Sequence, residues 1–156
     1  MHDRLRQATK GEHDRVDAAY AGFDLSTRPG YLAFLEAHRR AYWRLEPSWR
    51  PEDRPEFEEL ARTLDADLDA LAAHPARPAA FTRLDGLAVA YVTRGSRLGA
   101  AVLKGRVGPD LPAQYLRHAM AQSWSDFARE LNATVPERSV IDDARTAFSA
   151  FLPIGS

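Results

Sequence analysis

YVTRGSRLGAAVLKG, residues 91–105, decides how the rest of this chain is read. Its apolar positions recur at helical spacing, yet it places Gly95 and Gly99 one turn apart on a single face. Each glycine inside a helix costs roughly 1 kcal/mol relative to alanine. A helix that carries this cost twice on one face gains a close approach there, by another backbone or by a flat ligand. The same spacing occurs where membrane helices pack, but Arg94, Arg97, Lys104 and Arg106 rule that out here.

Working outward, the periodicity predicts helices throughout and almost no alternating strand pattern. A first helix is expected over about 3–20, with Leu5, Ala8, Val16, Ala19 and Tyr20 as its stripe. Ser26 or Thr27 can cap a second, with Pro29 in its first turn and a stripe of Tyr31, Phe34, Leu35, His38, Tyr42 and Leu45. Pro47 and Pro51 end it. Pro55 opens a third helix whose Phe57, Leu60, Leu64, Leu68 and Leu71 repeat at helical spacing. Residues 74–82, HPARPAAFT, read as a loop. A fourth helix is expected over 83–104, a fifth over 112–132, and a sixth over 139–151 with Ser139 as its cap. The expected fold is an all-α single-domain bundle spanning 1–156.

At 156 residues the chain is long enough for one substantial core. A formal charge of −1 supplies no global field for nucleic acid or anionic lipid. The absence of cysteine excludes disulfides, thiolate metal sites and cysteine nucleophiles, and fits a reducing compartment. Residues 1–15 lack the apolar run of a secretory signal and no stretch is long enough to span a bilayer, so a soluble, cytoplasmic protein is expected.

Five histidines are the candidate metal ligands. His2 is expected to fray with the terminus, His74 precedes a proline in a loop, and His118 reads as a solvated helical position. His38 falls in the middle of the second helix's apolar stripe: either a neutral, hydrogen-bonded core histidine, or a second ligand or distal base. His13 sits at the edge of the first stripe beside Thr9 and Tyr20, where a side chain can point along an interhelical cleft. A ligand on one helix and a glycine-lined face on another suit a flat metallo-macrocycle held between them.

The segment LRQATKGEH (5–13), with Asp17 one turn later, resembles the first helix of heme oxygenases. YVTRGSRLGAAVL (91–103) resembles the distal helix of the bacterial, biliverdin-producing members. Weaker echoes are Tyr42-Trp43-Arg44-Leu45-Glu46, and Trp124 with Phe127 and Leu131. The order and separation of these pieces match over most of the chain. The resemblance implies a helical bundle of the heme-oxygenase type that binds heme b as both substrate and oxygen-activating centre. It implies His13 as proximal axial ligand of the heme iron, with Arg6 and Tyr91 as partners of the heme carboxylates and Thr9 beside them. Gly95, Ser96 and Gly99 would form the catalytic distal face, and Arg97 would lie near the bound ligand. Ser96 stands where animal members carry an aspartate, and Arg97 where some bacterial ones carry asparagine.

The implied reaction cleaves the heme ring to biliverdin with release of carbon monoxide and ferrous iron. Electrons would come from a separate ferredoxin, flavodoxin or reductase, and a phytochrome could accept the pigment. Two other readings remain open at this point. One is a non-catalytic heme binder or carrier. The other is a helical signalling or interaction module in which the two glycines serve only helix packing.

Overall fold

The computed structural model describes residues 1–134 and 137–154. Among them eight α-helices and no strand are found. α1 spans His2–Ala8 and α2 Lys10–Ala21. The single helix expected over 3–20 is therefore divided at Thr9. Its hydroxyl donates to the Leu5 carbonyl one turn back at 2.7 Å, sharing that acceptor with the Thr9 N–H.

α3 (Arg28–Leu45) begins as its sequence predicts. Thr27 accepts the Gly30 N–H and Pro29 occupies the first turn. Its whole stripe, His38 included, is buried. α4 (Arg54–Ala70) packs on α3 and buries Phe57, Leu60, Leu64 and Leu68. α5 (Gly86–Leu103) starts three residues later than expected, where the Asp85 carboxylate accepts the Leu87 and Ala88 N–H groups. A 3-10 turn over Lys104–Arg106 ends it.

The single helix expected over 112–132 is not formed. α6 (Gln114–Arg117) and α7 (Trp124–Asn132) replace it, and residues 118–123 are not helical. The reason lies far away in sequence. Buried Asp67 on α4 accepts the N–H groups of Gln114 and Tyr115, at 3.0 and 2.9 Å, and starts α6. Arg97 then takes the carbonyls of Tyr115 and His118, at 2.7 and 2.9 Å, which a continuing helix would have used. Ser123 caps a new start. His118 accordingly lies at a helix end, half-buried, and not on a helix face. α8 spans Arg138–Ser149 and follows Glu137, so Ser139 is its second residue and not its cap.

The buried side chains of these elements form one continuous core. No helix among the described residues is long and apolar enough to cross a membrane. The arrangement that matters for function is simple: α8 packs against both α5 and α2, and an open cleft lies between those two walls.

Candidate functional site

The cleft has a volume of about 950 Å³, at the large end of ligand cavities. α2 contributes His13, Val16, Asp17 and Tyr20 to one wall; α5 contributes Tyr91, Gly95, Ser96 and Gly99 to the other. Phe34 and His38 of α3 close the back, with Phe148 and Phe151 from the C-terminal region. Arg6 and Arg106 are exposed on its lining, and neither forms an ion pair among the described residues.

The two glycines behave differently. A methyl group built on Gly95 meets the Trp124 ring at 3.8 Å, an ordinary contact. One built on Gly99 meets nothing within 4 Å. No helix packs at Gly99, so its missing side chain leaves open space in the cleft. Leu98 and Val102, which also line it, are exposed by 49% and 65%. An apolar face with a bare backbone strip is thus presented to whatever enters.

On the opposite wall, the His13 ring meets the edge of Phe148 at 5.8 Å between centroids. Its Nδ1 lies 3.3 Å from an Asp17 carboxylate oxygen one turn on. A carboxylate can only accept, so this contact favours the tautomer with the proton on Nδ1 and leaves the Nε2 lone pair for a metal. Asp14 completes an exposed group of three ligand atoms with these two residues.

Arg6, Thr9 and Tyr91 meet at one end of the cleft. Burial raises the Tyr91 hydroxyl above its ordinary pKa, while the neighbouring Thr9 hydroxyl and the Arg6 charge pull it back. Thr9 itself is buried at the junction of α1 and α2 and does not line the cleft. Its hydroxyl hydrogen is engaged by the Leu5 carbonyl.

The expected place of Arg97 is corrected. It is buried on the far side of α5 and does not line the cleft. Its guanidinium holds the carbonyls at 115 and 118 and lies 4.5 Å from the Tyr115 ring centroid. Two positions from each glycine, at about 100° per residue, is the opposite face of a helix, so the sequence itself held this signal. Arg94 turns inward as well, bridging Asp53 at 2.9 Å and Glu56 at 3.0 Å between the rings of Phe57 and Phe127. Neither arginine brings charge to the glycine face.

Ser96 does face the cleft, but its hydroxyl donates to the Thr93 carbonyl at 2.6 Å. It is left as an acceptor. His2, expected to fray, instead stands against Trp124 and Tyr91, at 5.4 and 6.2 Å, and lines the cleft. Its backbone N–H is held by Asn132, a contact 130 positions away that no local pattern signals. Arg106 was legible: from Tyr91, steps of four, four, three and four reach Gly95, Gly99, Val102 and Arg106, one helical face.

No protein-family model matches the chain, and no curated protein matches it.

The residues present suit a heme. An imidazole backed by a carboxylate stands on one wall, bare backbone on the other, and aromatic rings fill the back. A cation at Arg6, beside Tyr91, suits a carboxylate on the edge of that ring.

Proposed function

We propose that this protein is a heme oxygenase that converts heme to biliverdin, carbon monoxide and ferrous iron. The observation that carries the reading is a juxtaposition: His13 with Asp17 behind it, and the Gly95–Gly99 strip, line opposite walls of one cleft.

Bound heme would supply both the ring to be cleaved and the iron that activates oxygen. The chain's own residues do the rest. His13 would ligate through Nε2, with Asp17 fixing its ring and raising its basicity. Arg6 and the Tyr91 hydroxyl would hold an acidic edge of the ring and set its rotation. The bare backbone at Gly95 and Gly99 would let α5 approach the face of a bound ring closely and leave little room above it. Ser96 would accept a hydrogen bond from water there. The electrons would come from a separate ferredoxin, flavodoxin or reductase, and a phytochrome is a candidate recipient of the product.

One observation favours a second reading, a heme carrier without turnover. The Ser96 proton is tied to the backbone, so the α5 wall offers the cleft no side-chain proton donor between Gly95 and Gly99. The packing-only reading has less behind it, since nothing packs on Gly99. The test is turnover of the hemin-loaded protein with a reductant and catalase. Loss of the Soret band with growth of a biliverdin spectrum is the expected result. A persistent heme spectrum with tight, His13-dependent binding would move the protein to the carrier class. No Soret shift at all would end the heme reading.

A further inference from the structure

His38 closes the back of the cleft and is 95% buried, with 5% of its surface exposed. Its ring stacks on Tyr20 at 5.1 Å and lies against Phe34 at 4.2 Å and Phe151 at 5.7 Å. Nδ1 lies 3.0 Å from the Phe34 carbonyl. A carbonyl only accepts, so Nδ1 carries the hydrogen and Nε2 bears a lone pair. Among the described residues Nε2 has no partner. Burial drives the imidazole pKa down to about 4, against a Phe34 bond that raises it and an Arg97 charge that lowers it further. The ring is neutral at neutral pH. An uncharged acceptor thus stands among aromatic rings at the back of the cleft, available to a donor that enters it.

The chemistry of this acceptor separates the two tetrapyrroles of the proposed reaction. In the metallated ring every pyrrole nitrogen is bound to iron and carries no hydrogen. Once the ring is opened and the iron has left, the linear product carries N–H donors, and it is flexible enough to turn one toward the back wall. We infer that His38 Nε2 is a product-recognition site, accepting an N–H of the metal-free, ring-opened tetrapyrrole and giving nothing equivalent to heme. This rests on the heme-degrading reading of the cleft.

The test compares two titrations of the full chain, with biliverdin and with hemin, in wild type, His38→Leu and His38→Gln. Leucine removes the acceptor at similar volume; glutamine returns an amide oxygen near the Nε2 position. The expected result is biliverdin binding weakened by about 3- to 10-fold in H38L, the worth of one neutral hydrogen bond. Hemin affinity should be unchanged in H38L, and biliverdin affinity largely restored in H38Q. Equal weakening of both ligands, or no change in either, overturns the proposal.

Should the leucine variant not fold, ¹⁵N spectra of wild-type histidines decide the matter. The His38 Nε2 resonance should move upfield on adding biliverdin and stay in place with zinc protoporphyrin; no movement with biliverdin sinks the idea. The two readings fail separately. Hemin that binds through His13 while biliverdin ignores His38 removes only this inference. Biliverdin that depends on His38 while hemin gives no Soret shift removes the heme reading and the product role with it, and leaves His38 as an acceptor for a linear tetrapyrrole.

Discussion

The two walls of the cleft are built in opposite ways. α5 buries half of its 18 residues and is bolted through Arg94 to Asp53 and Glu56, two carboxylates at the start of α4. α2, with 12 residues, has none buried. A helix that short is marginal on its own. α2 is held by few ties: the Tyr20 hydroxyl donates to the Phe151 carbonyl, and Arg145 of α8 lies 3.8 Å from the Glu12 carboxylate. One wall is fixed by the core, and the other rests on it with no buried residue of its own. A ligand that binds only the folded form must then stabilise α2 more than α5.

The fixed wall breaks most severely. Arg94→Ala should remove about 3 kcal/mol of stability, because buried Glu56 loses its cation while Asp53 keeps only Arg50. Denaturant unfolding measures it. On the adjustable wall, His13→Ala should leave unfolding within about 0.5 kcal/mol, since the side chain is 57% exposed, while abolishing the hemin Soret shift. Similar losses from both would show that the walls are alike.

The back wall sharpens the contrast through pH. The His38 pKa falls from 6.5 to about 4 on folding. Between those values the unfolded chain binds a proton that the folded chain refuses, so stability declines as pH falls from 6.5 toward 4. The decline amounts to about 3 kcal/mol from this residue. His38→Gln should flatten that limb, and an unchanged pH profile would show that other groups govern it.

Asp17→Asn probes the support of the adjustable wall. Hemin affinity should fall about 10- to 100-fold, as when a ligand's orienting partner is changed, and apo stability should be unaffected. Hydrogen exchange should also show hemin slowing the amides of α2 more than those of α5. The smallest effect belongs to Gly99. Gly99→Ala should raise apo stability by about 1 kcal/mol, since the methyl meets nothing. Gly99→Leu should fill the cleft and weaken hemin binding without destabilising the fold.

Legibility in the sequence followed the range of the interactions. α3 and α4 read correctly because their caps and stripes are local: Thr27, Pro29, Pro55 and a regular run of leucines and aromatics. The break between α6 and α7 did not, because Asp67, Arg97 and Glu56 impose it from other helices. At the cleft, the α5 face was readable as a wheel from Tyr91 to Arg106, and the same wheel turns Arg97 away. His2 and Phe151 reach the cleft only through tertiary contacts, so periodicity carried no sign of them. The division at Thr9 coincides with a hydroxyl bonding the Leu5 carbonyl, a local contact that the unbroken stripe conceals.

The bond from Ser96 to the Thr93 carbonyl has one further consequence. If the proposed reaction runs here, hydrogen consumed beneath the glycine strip would come through solvent from the open mouth, because the Ser96 hydroxyl is already donated to the backbone. Rate should then respond to heavy water, and Ser96→Ala should leave that isotope response largely intact. Drying the mouth with a bulky residue at Val102 should slow turnover more than removing the serine.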